Sequence, residues 1–101
     1  MMGMRMNGGR SMNRKDAVRS LKALANERRV RMIQEIIAVP GLTVGDLSRI
    51  LKLSLPSTSR HVQKLAAVDL IILDQYSLNV SYCVNKQHPA IRALRSLLES
   101  S

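Results

Sequence analysis

Apolar residues recur at helical spacing along most of the chain. Val18, Leu21 and Leu24 fall on one stripe, Val30, Ile33 and Ile37 on a second, and Val44, Leu47 and Leu51 on a third. A residue able to cap a helix stands before each run: Asn13 with Asp16 three residues on, Asn26, Thr43 with Asp46 three residues on, and Ser54. The pattern predicts a helix from Asn13 to about Ala25, a second from Asn26 that Pro40-Gly41 closes, a short third, and a fourth from Ser54 to about Val68. Pro56 is tolerated in the first turn of the fourth, because the amide it removes has no intrahelical partner. The period then changes. Ile71 to Tyr76 and Asn79 to Val84 are rich in β-branched and aromatic residues around the turn-tolerant Ser77 to Asn79, which predicts a hairpin. Pro89 can open a last helix whose stripe is Ile91, Leu94 and Leu98, with Leu97 beside it. The expected fold is mainly α with a β-hairpin wing, in the order α-α-α-α-β-β-α. The short third and fourth helices form a helix-turn-helix candidate, a pattern shared with many bundles that never touch nucleic acid.

The fourth helix separates its faces. With Ser57 at 0° and 100° per residue, Arg60 lies at about 300°, His61 at about 40° and Lys64 at about 340°, whereas Thr58, Val62 and Leu65 cluster near 80–140°. The polar face thus carries hydroxyl, guanidinium, imidazole and ammonium groups, which suit base edges and phosphate oxygens in a groove that admits one helix. An ordinary solvated face carries such residues too.

Composition narrows the choice. The chain has 101 residues, 16 Lys and Arg against 7 Asp and Glu, and a net charge of +9. Nine of the basic residues and two of the acidic ones lie between Met1 and Arg31, whereas 66–85 holds Asp69 and Asp74 and no Lys or Arg. The hairpin is therefore not a basic arm, and the better phosphate-seeking arm is the tail 1–12, with Arg5 and Arg10. That tail is aperiodic and Gly-rich and is expected to be disordered, leaving 13–101 as one domain. Tyr76 and Tyr82 are the only aromatic residues, too few to stack single-stranded bases, so duplex is the more natural polyanion. Apolar runs such as Leu70 to Leu73 are too short for a bilayer, and the tail lacks the apolar core of a secretion signal. A soluble, cytoplasmic protein is expected. The single Cys83 cannot close an intramolecular disulfide and reads as a small, at least half-buried hydrophobe. No Ser-His-Asp set, Gly-rich phosphate loop or paired-carboxylate cleft is recognisable, so no enzyme activity and no cofactor are expected.

Three segments carry a resemblance: Leu21 to Val30 (LKALANERRV), Leu42 to Leu47 (LTVGDL) and Leu53 to Val62 (LSLPSTSRHV). Together they resemble ArsR-type winged helix-turn-helix transcriptional repressors from Leu21 to Leu98. The resemblance implies a homodimer whose first and last helices pair between subunits, placing Val18, Leu21, Ile91, Leu94 and Leu98 at the interface. It also implies that each fourth helix enters the major groove of an operator, with Ser57, Thr58, Ser59, Arg60 and His61 on the base- and phosphate-contacting stretch and Lys64 one turn on. Leu55 stands where relatives often have a polar residue. Asp74, Gln75, Ser77 and Leu78 replace the Arg, Lys and Gly usual in the wing, and Asp69 replaces the Gly after the recognition helix, where Asp tolerates a left-handed conformation. Val44-Gly45-Asp46 replaces the Cys-x-Cys of the metal sensors, and only His88 and Glu99 remain on the last helix, so no metal site is expected. The expected function is a sequence-specific, duplex-DNA-binding repressor. The alternative is a winged-helix protein-interaction module that binds nucleic acid only loosely, favoured by the charge-poor hairpin and disfavoured by the charge on the fourth helix.

Overall fold

The computed structural model describes residues 12–76 and 79–100. The expected arm up to Ser11 and the expected turn residues Ser77 and Leu78 lie outside the described residues. Among the described residues, five helices, α1 (Arg14–Leu24), α2 (Glu27–Ala38), α3 (Val44–Leu51), α4 (Leu55–Ala67) and α5 (Pro89–Glu99), and the strands β1 (Ile71–Tyr76) and β2 (Asn79–Val84), which lie between α4 and α5 in the chain, follow the predicted order.

The helices begin where polar side chains satisfy their free amides. Asn13 Oδ1 accepts from the Asp16 amide at 2.8 Å, Asn26 Oδ1 from the Arg29 amide at 3.1 Å, and Ser54 Oγ from the Ser57 amide at 3.2 Å. At α3 the box is reciprocal: Thr43 Oγ1 accepts the Asp46 amide at 3.1 Å, and the Thr43 amide donates to Asp46 Oδ2 at 3.0 Å. The Thr43 bonds, backbone first, and the neighbouring Arg49 hold the Asp46 carboxyl below its ordinary value.

The centre of the core is the face of α2 formed by Met32, Ile33 and Ile36, against which Leu47 of α3, Val62 and Leu65 of α4, Leu70, and Ile71 and Val84 of the hairpin are buried. This face is rotated from the predicted stripe: Val30 and Ile37 are its partly buried flanks, and its first turn is occupied by a charged residue, Arg29. The strands pair antiparallel from Ile71 opposite Val84 to Tyr76 opposite Asn79, and Leu42 bridges to Tyr82 on the outer edge of β2. Asp69 takes φ +62°, the left-handed turn expected between α4 and the hairpin.

The expected dimer stripe on α5 is corrected by the packing. Ile91 is 0 % exposed and Leu94 8 %, because both close the subunit's own core, so neither can present a surface. Leu98 is partly buried against that core, and the exposed leucine of α5 is Leu97, at 69 %. On α1 the buried positions are Ser20, Ala23 and Leu24, which leaves Val18 and Leu21 outside as expected. No helix among the described residues is long and apolar enough to cross a membrane.

Local caps and core packing contribute on different scales. Thr43→Ala should lower the stability by about 1 kcal/mol, and Leu47→Ala by about 2–5 kcal/mol. Both are read from urea midpoints at a constant m-value.

Candidate nucleic-acid interface

The turn between α3 and α4 sets the angle at which α4 leaves the body. Lys52 closes α3 in the left-handed conformation at φ +58°. The Leu53 amide donates to the Ser48 carbonyl at 3.1 Å, and Ser48 Oγ donates to the Leu53 carbonyl at 2.6 Å. The turn thus satisfies its own polar groups, and α4 starts one residue later from the Ser54 cap.

From that start, Val62 and Leu65 point into the core, and Thr58 goes with them. Thr58 is 0 % exposed, and its hydroxyl donates to the Ser54 carbonyl at 2.8 Å. The expected base contact by Thr58 is thereby corrected: its helical angle already grouped it with Val62 and Leu65, and burial leaves no part of the side chain for a ligand. Arg60 and Lys64 are exposed, and Ser57, Ser59 and His61 are half-buried along the same outward surface. Gln63, which the polar pattern did not single out, is also exposed one turn after Ser59. Among the described residues, Arg60, Lys64, Arg28 and Lys22 have no acidic partner, whereas Arg19, Arg31 and Arg49 pair with Asp16, Glu35 and Asp46.

Arg29 is the residue that sequence reasoning missed. Its guanidinium is buried, with Nε donating to the Ala23 carbonyl at 2.5 Å, Nη2 reaching the Lys22 carbonyl at 3.5 Å, and Nη1 lying 3.1 Å from His61 Nδ1. One side chain therefore caps the end of α1 from the start of α2 and touches the outward face of α4. The signal was its register, because Arg29 precedes Met32, Ile33 and Ile36 at the spacing of one buried stripe. Burial of the His61 ring, and then the charges of Arg29, Arg28, Arg60 and Lys64, hold its pKa below the ordinary value. Beside it, Arg19, Lys22, Arg29 and Lys64 line a shallow groove of about 350 Å³ between α1 and α4, floored by Ala23, Ala67 and Val68. The cationic surface of α4 thus continues onto α1.

The hairpin differs in character, with Ile72 and Leu73 exposed beside the half-buried Asp74 and no cation on either strand. Both nitrogens of His88 are used by the fold: Nδ1 accepts from the Ala90 amide at 3.1 Å, capping α5, and Nε2 donates to the Val68 carbonyl at 3.1 Å. That leaves His88 no lone pair for a metal. Among the described residues no three His, Cys, Asp or Glu side chains converge. Cys83 is half-buried on β2, with Sγ 3.9 Å from the Ile72 carbonyl.

The fold recurs in known proteins. HlyU from Vibrio cholerae is 31 % identical over 88 % of this chain and 96 % of its own, with a TM-score of 0.72. HlyU from Vibrio vulnificus, a transcriptional regulator, is 32 % identical over 82 % and 88 %, with a TM-score of 0.64. The chain belongs to the winged-helix transcriptional regulators. The model of the MarR family matches residues 26–75 of this regulator, which hold α2, α3, α4 and most of β1. The transcriptional repressor PagR of Bacillus anthracis is 25 % identical over 83 % of the regulator and 93 % of its own chain, with a TM-score of 0.72. No curated protein sequence gives a significant match.

The lowered His61 pKa makes the regulator's stability depend on pH. The folded state binds fewer protons here than the unfolded chain, so stability present above about pH 6.5 is lost as the pH falls through the folded pKa. Urea midpoints between about pH 5 and 8 should show that loss in the wild type and a flatter profile in His61→Gln. Superimposable profiles contradict the assignment.

Proposed function

We propose that this regulator is a dimeric, sequence-specific repressor of the ArsR type that reads the major groove of duplex DNA with α4. The observation that carries the reading is the outward face of α4, where Ser57, Arg60, His61 and Lys64 are presented from a rigid turn with no acid to neutralise the cations. Arg60 is suited to a guanine edge, and Lys64 with Lys22 to phosphate oxygens on the flank. Repression is supported by the likeness to PagR, and the ArsR branch by the three segments at 21–30, 42–47 and 53–62.

Dimerisation is supported by the uncovered apolar residues of α1 and α5. Val18 and Leu21 are exposed on α1, Leu21 at 60 %, and Leu97 stands out on α5. Two copies paired through these helices would set two α4 helices against successive turns of one duplex face, so the operator is expected to be a near-palindrome. A second reading, a protein-interaction wing, draws on the exposed Ile72 and Leu73 of the hairpin.

The readings separate in a gel-shift assay at physiological salt, with duplexes selected from a random pool. The repressor reading expects one discrete sequence to be retained, and Arg60→Ala to weaken it by about 1–3 kcal/mol, roughly 5- to 150-fold, while relaxing preference at one position. Uniform binding that moderate salt removes would favour the interaction reading. In analytical ultracentrifugation at micromolar concentration, Leu21→Asp should convert dimer to folded monomer, whereas Leu94→Asp should unfold the subunit. A monomeric wild type contradicts the dimer.

A further inference from the structure

A guanidinium carries donors and no acceptor. With Nη1 of Arg29 3.1 Å from Nδ1 of His61, that imidazole nitrogen must offer its lone pair, and the single proton of the neutral ring then resides on Nε2. The guanidinium cannot swing away to relieve the constraint, because Nε and Nη2 are engaged by the Ala23 and Lys22 carbonyls at the end of α1. We propose that Arg29 is a positioning residue that fixes His61 as the Nε2–H tautomer, making it a standing hydrogen-bond donor on the face of α4. The proposal deepens the repressor reading and rests on it for the acceptor, which is a group on duplex DNA.

The surroundings remove the other protonation states. Protonating Nδ1 would set one N–H against another, and the charged groups that face the ring are all cations: Arg28 and Arg29 from α2, and Arg60 and Lys64 from α4. From α1 the nearest contributions are the two backbone carbonyls that Arg29 already occupies. No carboxylate lies among these groups to hold an imidazolium. Nε2 has no protein partner among the described residues, and the ring is half-buried, so its N–H is the edge left for a ligand.

A donor that cannot become an acceptor discriminates. In the major groove it pairs with guanine N7 or O6, adenine N7 or thymine O4, and it is refused by the amino groups of cytosine N4 and adenine N6. A histidine free to exchange tautomers would accept from those amino groups as readily as it donates. Arg29 would then narrow the choice at one base step without touching the duplex. The same N–H could reach a phosphate oxygen, and the acceptor's place is distinguishable by experiment.

The test uses the full chain labelled with ¹⁵N and the long-range proton–nitrogen spectrum of its histidine rings near neutral pH, with His61 assigned by its absence in His61→Gln. The expected result is an unprotonated Nδ1 and a protonated Nε2. Arg29→Met should give mixed tautomers and an upward shift of the His61 titration, and Arg29→Gln, which keeps a donor, should restore part of the bias. The wild-type spectrum decides even if Arg29→Met does not fold. A proton on Nδ1, or two tautomers in comparable amounts, overturns the proposal. His61→Ala, which removes the donor, should weaken the selected duplex by about two- to tenfold. Relaxed preference at one position places the acceptor on a base edge, and an equal loss for all sequences places it on a phosphate; no change overturns the donor role. A wild type that retains no discrete sequence counts against the repressor reading, whereas the tautomer is decided in the free protein.

Discussion

A buried guanidinium whose three nitrogens are each engaged is the constraint on which the rest of this molecule depends. Arg29 sits in the first turn of the helix that supplies the centre of the core, and a charge in that position is tolerable only when hydrogen-bond partners answer it. The answers come from the last carbonyls of α1 and from a ring on α4, so satisfying one side chain fixes three helices relative to one another. A cation at the carboxyl end of α1 also complements that helix's dipole. Removing the guanidinium would take the side-chain partner from the Ala23 carbonyl and leave the Lys22 carbonyl with the Ala25 amide alone, as well as an unfilled site, and loss of α1 docking would follow.

Because α1 is held there, its three faces acquire separate duties. Ser20, Ala23 and Leu24 go to the core, Val18 and Leu21 to the outside, and Arg19 and Lys22 to the groove beside α4. The helix thus joins a surface suited to a second subunit with one suited to phosphate, only a fraction of a helical turn apart. Any partner that rotates α1 would change both, since the helix has little independent freedom. The rigid turn at Lys52 and Leu53 supplies the matching constraint from the other end, by fixing where α4 begins.

Much of this was legible in the sequence, because caps and stripes are local. Asn13, Asn26, Thr43 with Asp46, and Ser54 stand where their helices start, and the change of period at Ile71 marks the hairpin. What was not legible depends on partners far away in the chain. Arg29 looked like one member of a basic run, and His61 lies 32 residues further on, so only the register with Met32, Ile33 and Ile36 betrayed its burial. Periodicity likewise placed Ile91 and Leu94 on an apolar stripe without saying whether that stripe faced its own subunit or another. Thr58 shows the reverse case, in which the helical angle indicated the core while the resemblance to ArsR-type repressors pointed to the groove, and burial followed the angle.

The proposed recognition of DNA rests on α4 as the surface that meets the duplex, with α1 at its flank and the hairpin at a distance. Backbone amide spectra recorded while the protein is titrated with its selected duplex measure this residue by residue. The largest shifts are expected at Ser57, Ser59, Arg60, His61, Gln63 and Lys64, with smaller ones at Arg19 and Lys22. Shifts concentrated on Ile72 to Asp74 of the hairpin, with α4 silent, would contradict it.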